Sequence, residues 1–142
     1  MSTEPLSAHY SPELIDHFER PRNAGAMAAP DAEGFVTNPV CGDSMRLFLR
    51  IEHIERGASA GGTERIVAAS FLTSGCPASI ATSSAATEIV AGLTLAEAEA
   101  LTRDDFAAAV GGLPKSKLHC SVLARAAVRE AIAGWRDGGA AG

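Results

Sequence analysis

The sequence predicts an α+β domain, a small three-stranded antiparallel sheet packed against about five helices. Two observations carry that reading. Residues 44–52 and 65–72 are strand-like runs separated by a Gly-rich stretch, and after Gly75 the pattern turns helical through to Trp135. A chain of 142 residues is long enough for one hydrophobic core and reads as a single domain, with residues 1–9 and 137–142 as flexible ends.

Taken in order, Ser11-Pro12-Glu13 starts the first helix: Ser as N-cap, Pro at the first helical position, an acid in the first turn. Leu14, Ile15 and Phe18 give it an apolar face, and Pro21 stops it near Arg20. Arg22 to Gly25 is turn chemistry. Gly34 to Thr37 is expected as an edge strand. From Ser44 to Glu52, Met45, Leu47, Leu49 and Ile51 fall on one side and mostly polar residues on the other, with Phe48 the exception. Arg56 to Thr63 is the loop of an antiparallel hairpin whose second strand is Arg65 to Leu72.

Cys76 then stands at an N-cap position with Pro77 after it, opening a helix that runs to Ala91 and stops at Gly92. Thr94 to Glu97 is a capping box, and Thr102 to Asp105 caps a further short helix ending at Gly111-Gly112. After Pro114 the last helix is expected from Ser116 to Trp135. At about 100° per residue, Leu123, Ala124, Ala127, Val128, Ala131 and Trp135 share one apolar arc. Cys120 falls in the middle of that arc and His119 at its edge.

Composition narrows the function. Hydrophobic content of 46% and charged content of 20% describe an ordinary globular protein. A net charge of −5 without a basic run argues against nucleic acid and anionic membranes as partners. No signal peptide or membrane span is read, and the chain is expected to be cytoplasmic. Three cysteines in a reducing compartment are then free thiols, metal ligands or nucleophiles.

Each cysteine lies at an element boundary: Cys41-Gly42-Asp43 before a strand, Gly75-Cys76-Pro77 between strand and helix, His119-Cys120 at a helix start whose dipole favours a thiolate. Three thiolates, an imidazole and the Asp43 carboxylate include a tetrahedral Zn²⁺ set, and thiolates also suit iron–sulfur clusters. The cysteines are 35 and 44 residues apart, with no C-x-x-C pair, so spacing alone leaves three readings open. They are a metal or cluster site, a nucleophilic Cys120 beside His119, or three small core residues. His9, His17 and His53 are read as surface or helix-face residues outside the ligand set.

From Tyr10 to Trp135 the sequence resembles the NifU N-terminal or IscU-type iron–sulfur cluster assembly scaffolds. The residues carrying the likeness are Tyr10-Ser11, Ile15 to Gly25 (IDHFERPRNAG), Cys41-Gly42-Asp43, Gly75-Cys76, Ala78 to Glu88 (ASIATSSAATE) and Lys117 to Ala124 (KLHCSVLA). The resemblance implies an IscU-like fold and a non-enzymatic scaffold. On it a [2Fe–2S] cluster is built from iron and sulfur, the sulfur arriving as a persulfide from a cysteine desulfurase, and is then passed to apo-proteins. It assigns Cys41, Cys76, Cys120, Asp43 and His119 as ligands, with Lys117 in the same matching stretch. Asp43 would keep the cluster labile, Cys120 would accept the persulfide sulfur, and Zn²⁺ would fit the same site.

The chain departs from the family pattern in places. The segment expected to meet an Hsp70-type chaperone reads Leu113-Pro114-Lys115-Ser116-Lys117, where the family has Leu-Pro-Pro-x-Lys, and Pro77 stands where IscU has Gly. The alternative is a zinc-dependent sulfurtransferase of the SufU type, which shares the cysteines and the Asp but lacks the histidine.

Overall fold

The computed structural model describes residues 9–39, 42–54 and 63–137. Cys41, most of the expected hairpin loop and both expected flexible ends (residues 1–8 and 138–142) lie outside the described residues. Helix α1 (Pro12–Glu19) opens as the sequence predicts, with Ser11 Oγ accepting from Leu14 N at 3.0 Å. The Ser11 hydroxyl also donates to the Val110 carbonyl, tying α1 to a distant turn. Strands β1 (Ala32–Thr37), β2 (Ser44–Ile54) and β3 (Thr63–Ser74) form one antiparallel sheet in the order 1-2-3. Each is longer than the sequence pattern suggests. A bulge between Arg50 and Ile51 interrupts the β2–β3 register.

Met45, Leu47, Leu49 and Ile51 are buried as alternation requires, against Ile66, Ala69 and Phe71 of β3. Phe48, on the other face, is buried as well. The expected turn at Arg22 to Gly25 pairs with the free edge of β3: Phe71 N–H donates to Asn23 O at 3.1 Å, and Gly25 N–H to Phe71 O at 2.8 Å.

Helix α2 (Pro77–Val90) is buried along nearly its whole length. Its hydroxyls return to carbonyls of their own helix: Thr82 to Ala78 O at 2.6 Å, Ser83 to Ser79 O at 2.8 Å and Thr87 to Ser84 O at 2.7 Å. That satisfies polar groups which burial would otherwise penalise. Two short helices follow, α3 (Leu95–Ala100) and α4 (Arg103–Ala108), each opened by a complete capping box.

The last helix begins later than the sequence suggests. Lys115–Lys117 form one 3₁₀ turn after Pro114, with Lys117 N–H donating to Pro114 O at 2.8 Å, and α5 runs from His119 to Asp137. Its core face adds Ile132 to the expected residues, while Trp135 is only half-buried. The helix lies close on β1 because Gly34 faces it; a Cβ there would sit 2.7 Å from Ala131 N. A second cluster, Leu14, Ala78, Ala81, Ala85, Val110 and Cys120, joins α1, α2 and the start of α5.

His17 takes the helix-face reading. It is buried on the inner face of α1, with Nδ1 2.8 Å from Ser84 Oγ and Nε2 3.6 Å from Glu88 Oε1. Arg22 N–H donates to the same Ser84 hydroxyl at 2.8 Å, so this polar knot fastens α1 and the turn after it to α2.

Candidate metal centre

Three chain segments deliver the site. Just before β2, Gly42 N–H donates to Asn38 O at 2.7 Å and Asn38 N–H to Asp43 O at 2.8 Å, which draws Asn38 and Asp43 together. Gly42 has a φ of +81°, which a side chain would rarely adopt. The Asp43 side chain is buried. Cys41, two residues before Asp43 in sequence, lies outside the described residues. Cys76 caps the start of α2, and His119-Cys120 are the first two residues of α5.

These segments converge. One ligand atom each from Asp43, Cys76 and Cys120 lies within 4.8 Å of the others. Cys76 Sγ is 3.8 Å from Asp43 Oδ2, His119 Nε2 is 3.6 Å from the same oxygen, and Cys120 Sγ is 3.7 Å from His119 Nε2. A tetrahedral ion with bonds of roughly 2.0–2.3 Å has ligand–ligand edges of roughly 3.3–3.8 Å. These donors fit an ion or a cluster iron in chemistry, and the three quoted pairs fit it in spacing, with His119 at the margin of the Asp43, Cys76 and Cys120 group. Although neighbours on a helix diverge, the His119 ring turns back toward its neighbour's sulfur and stays about 30% exposed, at 29%.

The two thiols differ. Burial pushes the Cys120 thiol up to about 12, and the nearby Cys76 and Asp43 charges add to it, while the Ser79 hydroxyl offsets only part. Burial outweighs the favourable helix end that the sequence suggests for this residue. Burial also raises the Cys76 thiol, but the Ser79 hydroxyl and N–H, the Lys117 ammonium and the Ala78 N–H together hold it below its ordinary value. Lys117 responds in kind: the Cys76 sulfur holds its ammonium above the usual lysine range. Lys117 thus faces the site from the 3₁₀ turn.

Two residues of the site escape sequence reasoning. Ser79, fully buried, donates to Asp43 Oδ2 and lies 3.3 Å from Cys120 Sγ and 3.6 Å from Cys76 Sγ. Its position three residues into α2, where a side chain reaches back over the helix start, was the available signal. Gly75 gives Asp43 room, since a Cβ at 75 would lie 2.7 Å from Asp43 Cγ. Beside His119 an apolar cavity of about 410 Å³ opens, lined by Val36, Pro39, Val122 and Ala126 among others.

The family model for the NifU-like N-terminal domain matches residues 9–139. The chain belongs to that family. This NifU-like domain is 47% identical over 123 residues to the iron–sulfur cluster assembly scaffold protein IscU 1 of Archaeoglobus fulgidus, covering 87% of this chain and 74% of the relative. It is 43% identical over 126 residues to IscU of Azotobacter vinelandii, covering 87% and 91%, and 40% identical over 131 residues to IscU of Escherichia coli K12, covering 90% and 94%. The crystal structure of a NifU-like protein from Brucella abortus superposes with a TM-score of 0.66 over 94% of this chain and 98% of that one. FiSufU of Fervidobacterium islandicum gives 0.61 over 87% and 96%. At 18% identity these two speak for the fold alone. The α+β architecture expected of a NifU-like domain is the one observed. Among the described residues no helix is long and apolar enough to cross a membrane.

Proposed function

We propose that this chain is a scaffold on which a [2Fe–2S] cluster is assembled and from which it is passed to apo-proteins. The observation that carries the reading is the convergence of Asp43, Cys76 and Cys120 within 4.8 Å, with His119 on their edge. Soft thiolates bind iron well, while a hard carboxylate and an exposed imidazole are exchangeable partners for it. Such a mixed set, completed by Cys41, suits a site that must release what it holds. His119 at the site favours this role over the SufU-type sulfurtransferase. The same donors accept Zn²⁺. Free thiols in this number suit a reducing cytoplasm.

Sulfur would enter through Cys120. Its thiolate attacks the outer sulfur of a cysteine desulfurase persulfide, the S–S bond to the desulfurase cysteine breaks, and that cysteine leaves as a thiolate. Cys120 then carries the sulfur as its own persulfide. Because its sulfur is fully buried with a thiol near 12, delivery requires the first turn of α5 to move off Asp43 and Ser79. An Hsp70-type chaperone would meet Leu113 to Lys117, where Lys115 and Ser116 are exposed on the 3₁₀ turn.

Desulfurase-dependent persulfide labelling tests the reading. Cys120→Ser should lose sulfur loading more completely than Cys41→Ser, and comparable labelling of the two variants contradicts the assignment. No cluster, with faster desulfurase turnover and tightly bound zinc, points to the transferase instead.

A further inference from the structure

Asp43 is held from two directions by residues that flank Cys76. On one side Gly75 presents only a hydrogen, where a Cβ would come within 2.7 Å of both Asp43 Cγ and Oδ1. On the other, the buried Ser79 hydroxyl donates to Oδ2. A hydroxyl has one proton to give. The Cys120 and Cys76 sulfurs stand 3.3 and 3.6 Å from the same hydroxyl oxygen, so a thiolate there competes with the carboxylate for that one proton. One small side chain therefore touches three of the metal-binding donors and fixes the oxygen that faces them. The bond is charge-assisted, among the stronger kinds a side chain can make.

We infer that Ser79 is a positioning residue, whose hydroxyl aims the Asp43 carboxylate at the point shared by Cys76 and Cys120. The inference rests on the scaffold reading only in taking Asp43 as a ligand. Ser79 does not bind the metal; it sets how readily Asp43 does. A carboxylate so held enters the coordination sphere without first being ordered, so exchange of the cargo is governed in part from α2.

The test is a cycle on metal-free protein with Zn²⁺ as the probe, its affinity read by chelator competition. Ser79→Ala should bind Zn²⁺ about 10–100-fold more weakly than wild type, the usual cost of losing an outer-sphere partner. Asp43→Ala should also bind more weakly, and the double variant should match Asp43→Ala alone, because Ser79 then has nothing to aim. Co²⁺ in Ser79→Ala should show an altered visible spectrum, which loss of stability alone does not produce. If the alanine chain does not fold, Ser79→Thr, which keeps the hydroxyl, should bind Zn²⁺ as wild type does, and a Thr variant as weak as Asp43→Ala overturns the inference. The inference is overturned if Ser79→Ala binds as wild type does, or if its loss is undiminished in the Asp43→Ala background. If Asp43→Ala itself binds as wild type, Asp43 is not a ligand and both this inference and that part of the scaffold reading fall. If Asp43→Ala weakens binding and Ser79→Ala does not, only the inference falls.

Discussion

His119 Nε2 lies 3.6 Å from Asp43 Oδ2, which joins the first turn of α5 to the chain just before β2 across the mouth of the site. The pair puts an oxygen and a nitrogen beside two sulfurs. Replacing the oxygen should leave a cluster held by the more tenacious ligands. Asp43→Ala, reconstituted anaerobically, should pass its cluster to an apo-ferredoxin roughly tenfold more slowly than wild type. Equal transfer rates would sink the idea that Asp43 keeps the cargo labile.

Gly34 predicts a stability effect away from the site. A Cβ there meets the backbone of α5 at Ala131 N, and backbone cannot move aside cheaply. Gly34→Ala should destabilise the fold by about 3 kcal/mol, at the upper end of ordinary overpacking. An unchanged urea midpoint would show that β1 and α5 can separate without cost.

The two thiols should alkylate at different rates in metal-free protein. Cys120 is pushed up to about 12 while Cys76 is held below its ordinary value. The gap in thiolate fraction is partly offset by the greater nucleophilicity of the weaker acid. In a Cys41→Ser background, iodoacetamide should modify Cys76 on the order of fiftyfold faster than Cys120 near neutral pH. Peptide mass spectrometry giving equal rates would contradict the burial argument.

Acid should loosen the junction of α1 with α2. Burial, then the Arg22 charge, lowers the His17 pKa below 6.5, with Glu88 and Asp16 opposing. The unfolded chain thus takes up a proton before the folded one does. Stability from this group is intact above about 6.5 and falls as pH drops from there toward the folded value. The thermal midpoint of wild type should decline more steeply between pH 7 and 5 than that of His17→Gln. Parallel declines would remove His17 from the acid response.

Much of this was legible in the sequence because local chemistry and tertiary structure agree. Ser11-Pro12 and the Thr94 and Thr102 boxes fix helix starts by hydrogen bonds within a few residues, and those starts are observed. Alternation at Met45 to Ile51 marks the buried face of β2. What was not legible depends on the whole fold. The apolar periodicity of the last helix does not distinguish a 3₁₀ turn at Lys115 to Lys117 from a first α-turn. Whether His17 lies on the surface or on a packed helix face was not decided locally, because its partner Ser84 stands 67 residues away. The candidate ligands were nameable from the family likeness, yet Ser79 and Gly75 gain meaning only from Asp43 beside them.

Anaerobic reconstitution of the metal-free chain with iron and sulfide tests the central claim most directly. Visible charge-transfer bands should develop and be lost in Cys76→Ser and Cys120→Ser. A chain that stays colourless, or variants that colour as wild type does, would contradict the claim that these thiols hold a cluster.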